Sequence, residues 1–140
     1  MTVIRDTAVA GQFYPGNASE LSATIRVLLD ETRVEDGPAP KALIVPHAGY
    51  IYSGPVAAAA YARLRPFGQR YRRVILLGPC HRLAFKGLAL SGADVFRTPL
   101  GDVPLDKQAI TRLDMPEVVV FDEPTVGLDV ITARNIIQTH

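Results

Sequence analysis

The stretch Leu43-Ile44-Val45-Pro46-His47-Ala48-Gly49-Tyr50-Ile51-Tyr52-Ser53-Gly54-Pro55 decides the fold. The apolar run from 42 to 45, which leads into this stretch, ends at Pro46, as a short buried strand does. Pro55 fits the first position of a helix, where its missing amide costs nothing, and the alanine-rich segment 56–64 favours helix. This part of the chain therefore predicts a strand, a loop and a helix in succession.

Further helices and strands are predicted on both sides of that stretch. Apolar residues at helical spacing predict a helix over about 20–33, with Ser19 as its N-cap. A second apolar strand over 74–77 is followed at once by glycine and proline, and further short strands are expected at 88–90 and 95–96. The segment 97–106 is expected to be loop. Alternation of strand and helix predicts an α/β fold, with a parallel or mixed sheet flanked by helices.

Composition narrows the class of protein. The chain has 140 residues and a net charge of +1, so no charge excess attracts it to nucleic acid or to an anionic membrane. Its single cysteine, Cys80, forms no internal disulfide, and no apolar run approaches the roughly 20 residues that span a bilayer. We therefore expect a cytoplasmic protein without nucleic-acid binding or membrane insertion.

Two histidines occupy equivalent positions in this pattern. His47 follows the first strand and His81 follows the second, each at the carboxyl end, where ligands collect in open α/β sheets. Neutral imidazole is a common ligand for divalent transition metals, so the pair is a candidate metal site. The alternative is that each histidine caps a turn or hydrogen-bonds to backbone, and the pattern alone leaves both interpretations open.

Longer strings carry a resemblance to a known family. They are Ala10-Gly11-Gln12-Phe13-Tyr14-Pro15, the run from Pro46 to Pro55, Leu77-Gly78-Pro79-Cys80-His81-Arg82, and Thr98-Pro99-Leu100-Gly101-Asp102-Val103 with Asp106. In order and spacing they resemble the Memo family, also called AmmeMemoRadiSam system protein B, over about residues 4–113. We therefore assign residues 1–113 to the N-terminal part of a Memo-like α/β domain. The resemblance implies a fold similar to the class III extradiol dioxygenases, which are non-haem iron enzymes.

The resemblance also implies roles for individual residues. It places His47 and His81 in a metal site, with iron as the first candidate and copper or zinc as alternatives. Tyr50, Tyr52 and Ser53 would orient substrate or support the ligands, or the tyrosines would simply pack over the loop. Cys80 stands where the family usually has serine; it would join a soft-metal site or respond to oxidation, or be a small buried residue.

Residues 114–140 depart from the family pattern. The run from Pro116 to Ile137 is similar to the Walker B strand and D-loop of ABC-transporter ATPases, with Asp122 and Glu123 at the magnesium and water positions and Asp129 at the D-loop position. The chain lacks the glycine-rich Gly-Lys-Ser/Thr loop and the ABC signature, so we expect this likeness to be vestigial. A gene fusion, a truncated reading frame or a chance likeness would explain it, and we favour a hybrid or truncated product.

Three functional hypotheses follow. The first is a Memo-like metal-binding protein that acts, where it is catalytic, as a metal-dependent oxidoreductase on a small molecule. Its third family ligand would be missing, and an uncovered sheet edge would favour a homo-oligomer. The second is a non-enzymatic module that binds a peptide or another ligand on its loop face. The third is nucleotide binding through the tail.

Magnesium-ATP tests the third hypothesis. Ligand at a hundred times its dissociation constant stabilises a folded protein by about 2.7 kcal/mol, which shifts the melting temperature by several degrees. We expect thermal denaturation to show no shift in millimolar magnesium-ATP relative to magnesium alone. A dose-dependent rise that Asp122→Asn abolishes would contradict this expectation.

Overall fold

The computed structural model describes residues 1–79, 81, 88–112, 118–122 and 128–134, with the backbone alone described at 88 and from 110 onward. Three helices lie within these ranges: α1 (Ala18–Asp30), α2 (Tyr50–Tyr61) and α3 (Lys107–Arg112). A 3-10 segment, Ala62–Arg70, continues directly from α2. The strands are β1 (Ile4–Arg5), β2 (Ala42–Val45), β3 (Arg73–Pro79), β4 (Leu88–Leu90), β5 (Val95–Thr98), β6 (Gly101–Pro104), β7 (Val118–Asp122) and β8 (Leu128–Arg134). The predicted α/β class is confirmed.

The larger of the two sheets is mixed, with the strand order β2-β7-β3-β8-β4. Strands β2 and β3 both run parallel to β7, which lies between them, and β8 is antiparallel to β3. Because parallel neighbours end at the same edge of a sheet, the carboxyl ends of β2, β7 and β3 lie together. That edge carries the loops that hold His47 and His81.

The smaller sheet has the strand order β1-β5-β6, and it shows that the loop predicted over 97–106 is wrong in part. The segment 97–106 was expected to be loop, but β5 and β6 pair as a hairpin with Thr98 opposite Gly101. Gly101 has a φ of 130°, a value that favours glycine, and it lets the chain reverse within two residues. Arg97 holds the hairpin through Asp102 at 3.0 Å, and both residues are too exposed for this ion pair to contribute much stability.

Both helix starts differ from the sequence expectation. The N-cap of α1 is Asn17, whose side chain accepts from the amide of Glu20 at 2.8 Å, while Ser19 lies inside the helix. Helix α2 begins at Tyr50 and not at Pro55, because the amides of Tyr52 and Ser53 both donate to Gly49 O. Pro55 therefore lies inside α2, where it removes one backbone donor.

The main hydrophobic core lies between β2, β3 and the 3-10 segment. Its buried members are Leu43, Val45, Leu64, Tyr71 and Val74. The hydroxyl of Tyr71 donates to Pro40 O at 2.8 Å, and burial raises the pKa of this phenol. Strand β2 alternates, with Leu43 and Val45 buried and Ile44 exposed, so one of its faces packs on this core.

Within the described residues, no helix is both long and apolar enough to cross a membrane.

Core packing is tested by Leu64→Ala. Leu64 is 3% exposed, so truncation removes buried methyl groups and leaves a cavity. We expect a loss of about 2–5 kcal/mol in the free energy of unfolding, measured by urea denaturation. Leu100→Ala is the matched control, since Leu100 is 52% exposed and its removal should change stability by no more than about 0.5 kcal/mol. Equal losses in the two variants would contradict the assignment of the core.

Candidate functional site

His47 and His81 meet at the carboxyl edge of the larger sheet. Their Nε2 atoms lie 2.9 Å apart, and their ring centroids lie 5.1 Å apart with the planes tilted by 43°. Each histidine stands two residues beyond its strand, which is β2 for His47 and β3 for His81. The structure therefore brings together two imidazoles that are 34 residues apart in sequence.

The separation of the two nitrogens permits two kinds of contact. In one, a neutral imidazole donates its Nε2 proton to the Nε2 lone pair of the other, at an ordinary hydrogen-bond distance. In the other, both lone pairs are directed at one cation. Zinc–imidazole bonds of about 2.0–2.1 Å place two nitrogens about 2.9 Å apart at a right angle and about 3.3 Å apart at a tetrahedral angle. The observed distance thus fits ligands of a single metal ion.

The loop after His47 is held by its own hydrogen bonds. Ser53 is 7% exposed, and its hydroxyl donates to Ala48 O at 2.8 Å, which ties the start of α2 back to the residue after His47. The predicted role of Ser53 in orienting substrate stays a prediction. Its observed contact fixes the loop that presents His47.

The N-terminal segment packs against the same loop. The amide of Tyr50 donates to Phe13 O at 2.7 Å. A Cβ atom at Gly49 would lie 3.3 Å from Phe13 O, which is tighter than ordinary contact. Glycine at 49 therefore allows the two backbones to approach this closely. The sequence did not predict this backbone contact of Phe13 with the His47 loop. Phe13 was marked only by its place in the family-like string at residues 10–15.

The two tyrosines at the start of α2 have different surroundings. The Tyr50 ring lies 5.9 Å from the Tyr14 ring, and burial, followed by the neighbouring Tyr14, raises the pKa of the Tyr50 phenol. Tyr52 is 80% exposed, as is the adjacent Ile51 at 85%. Tyr50 therefore packs against Tyr14 and Tyr52 faces solvent, and the predicted role of both tyrosines at the site stays a prediction.

For the remaining candidate residues, the structure describes either the backbone alone or nothing. Cys80 and Glu123 fall outside the described residues. Asp122 is the last residue of β7 and is in register with Val45 of β2, whereas Asp129 pairs with Gly78 of β3. Among the side chains that the structure describes, no three His, Cys, Asp or Glu residues form a group that could hold a metal.

Comparison with known proteins identifies relatives. The sequence model of the family described as Memo-like protein matches residues 5–128. The chain is 40% identical to Protein MEMO1 of Xenopus laevis, covering 80% of this chain and 37% of that protein. It is 38% identical to Protein MEMO1 of Homo sapiens, covering 79% and 36% respectively. It is 36% identical to a MEMO1 family protein of Thermotoga neapolitana, covering 79% of this chain and 43% of that protein.

The chain therefore spans about two fifths of the length of these curated relatives. The family match continues through residue 128, and the comparisons give no support to an ATPase likeness in that segment. A domain boundary between residues 113 and 114 stays a prediction.

The contribution of Ser53 to this site is open to measurement. Ser53→Ala removes a buried donor and leaves Ala48 O without it, so we expect a loss of about 1 kcal/mol in the free energy of unfolding. Ser19→Ala is the control, because the Ser19 hydroxyl is exposed and bonds only locally, to Asn17. Urea denaturation should show a change of no more than about 0.5 kcal/mol in this control. A Ser53→Ala protein as stable as the wild type would refute the role of this hydrogen bond.

Proposed function

The chain belongs to the Memo-like protein family, and from this premise we propose that it binds one divalent transition metal through His47 and His81. The observation that carries the proposal is the 2.9 Å separation of the two Nε2 atoms. Iron is the first candidate, and copper and zinc are the alternatives. Imidazole nitrogen is a suitable ligand for all three metals, so the chemistry of the donor pair fits the group.

The surroundings of the pair suit a metal that exchanges ligands with solvent. His81 is exposed and His47 is half-buried, so a third group or a small molecule can reach the pair from one side. The loop is nevertheless held in place by the Ser53 and Tyr50 contacts, which lowers the entropy lost on binding. A ferrous ion held by few protein ligands would supply open positions for dioxygen and substrate together.

Under this proposal, the chain would share two features with the extradiol dioxygenases: a bound metal ion, and coordination positions on that ion that the protein leaves open. The chain's own residues contribute two imidazole nitrogens as ligands. They also contribute the loop that holds these nitrogens 2.9 Å apart. Catalysis as a metal-dependent oxidoreductase on a small molecule is a further part of the proposal, as is a cytoplasmic location.

A second candidate function is a peptide- or ligand-binding module that needs no metal. The apolar side chains exposed on α2 favour it: Ile51, Tyr52 and Val56 are 85%, 80% and 63% exposed. Exposed aromatic and aliphatic groups on one helix are typical of partner-binding surfaces. Partner binding that is unchanged after chelation of all metal would favour this candidate over the first.

Removal of either histidine tests the metal proposal. We expect iron in the purified protein to be substoichiometric, and anaerobic calorimetric titration with ferrous ion to show weak binding at one site. His47→Ala and His81→Ala should each raise the dissociation constant at least about tenfold, because each removes one of the two nitrogen ligands.

The third histidine of the chain provides the control. His140→Ala should leave the dissociation constant within about twofold of the wild-type value. His140 is not one of the proposed ligands, and only the loss of a ligand is expected to lower metal affinity about tenfold or more. Ferrous binding that persists unchanged in both His47→Ala and His81→Ala would refute the proposed function.

A further inference from the structure

We propose that the solvent-facing side of α2 is the interface of a symmetric homodimer, in which this helix packs antiparallel against the same helix of a second copy of the chain. The inference goes beyond the proposed function, because it needs neither a bound metal nor the two histidines. It assigns one partner, a second copy, to the apolar side chains that α2 exposes.

The first support is the composition of α2. The helix Tyr50–Tyr61 contains no charged residue, and a helix that is apolar on all sides is normally buried on all sides. One side of α2 is buried, since Ser53, Gly54 and Ala58 are inaccessible. A Cβ atom at Gly54 would lie 3.1 Å from Leu28 Cδ1 of α1, so this side is closely packed. The opposite side has the composition of a buried surface but faces solvent.

The second support is the spacing of the exposed residues. Tyr52 and Val56 are 80% and 63% exposed, and Pro55 and Ala59 are exposed as well. These four positions follow the i, i+3, i+4, i+7 spacing, so they form one continuous stripe along the helix. Ile51, which is 85% exposed, lies beside the stripe. A stripe of this kind is how a helix packs against a partner, and here it points away from the protein's own core.

The third support is that the stripe is complementary to itself. In a symmetric dimer the same surface patch meets itself across a two-fold axis. With the axis between Pro55 and Val56, Tyr52 lies opposite Ala59 of the second copy, and Pro55 lies opposite Val56. A large side chain therefore meets a small one at both ends of the contact. Because the stripe is uncharged, the symmetric contact brings no like charges together.

The fourth support is the area of this surface. Each apolar side chain of this kind buries on the order of 100 Å², so the stripe and Ile51 offer on the order of 500 Å² per copy. Two copies together would bury on the order of 1,000 Å², which is the lower limit for a specific protein–protein interface. We therefore expect a reversible dimer that dissociates in the micromolar range.

The experiment is sedimentation velocity of the full chain, with a chelator present so that metal cannot bridge two copies. Between about 1 and about 200 µM, the range in which a small interface dissociates, the average mass should rise from one chain toward two. Tyr52→Glu and Ala59→Lys should each raise the dimer dissociation constant at least about tenfold, because each puts two charges into an apolar contact. Leu100→Glu is the control, since Leu100 is exposed on the hairpin of β5 and β6 and lies outside the proposed interface. Its dissociation constant should stay within a factor of about two of the wild-type value.

Two double variants test the symmetry itself. In Tyr52→Glu/Ala59→Lys, opposite charges meet across the two-fold axis, so we expect the dimer to regain most of the affinity that the single variants lose. Positions 52 and 59 are about 10.5 Å apart along one helix, so these charges do not pair within a copy. Tyr52→Glu/Ala59→Glu brings like charges together and should stay monomeric over the whole concentration range.

Each outcome decides the question. A wild-type chain that stays monomeric at the highest concentration overturns the inference, and so does a dimer that neither single variant weakens. Weakened single variants without recovery in Tyr52→Glu/Ala59→Lys overturn the antiparallel two-fold arrangement. None of these results bears on metal binding by His47 and His81, which the histidine variants test separately.

Discussion

The parallel pairing of β7 with both β2 and β3 is the constraint on which the site depends. The two histidine-bearing strands are not hydrogen-bonded to each other, and their common neighbour sets their direction and spacing. Because all three strands run the same way, their carboxyl ends share one edge, and the loops that follow meet there. The 2.9 Å approach of His47 to His81 is a consequence of this long-range alignment.

A second layer of contacts keeps the His47 loop in one conformation. The backbone of Phe13 accepts from Tyr50, Gly49 allows that close approach, and Ser53 joins the start of α2 to Ala48. These are short, mostly backbone-directed bonds, so they restrict the loop more than exposed side-chain contacts would. A ligand pair that is already positioned loses less conformational entropy when a metal binds.

Local sequence pattern predicted part of this arrangement well. Apolar runs that end in proline located β2 and β3, and their carboxyl ends identified His47 and His81. Pattern could not give the distance between them, since that depends on β7, which pairs with residues more than 40 positions away. The structure differs from the sequence prediction at three further places: the Asn17 cap, the early start of α2, and the hairpin of β5 and β6. Each depends on particular hydrogen bonds that amino-acid composition does not specify.

Binding of a single metal ion by the Nε2 atoms of both His47 and His81 is directly measurable. Long-range proton–nitrogen NMR of the imidazoles, recorded with and without one equivalent of zinc, observes these atoms directly. We expect the Nε2 resonances of both His47 and His81 to shift together and to saturate at one zinc per chain, while those of His140 stay in place. Zinc-independent Nε2 resonances for the pair, or a shift confined to one of the two, would contradict it.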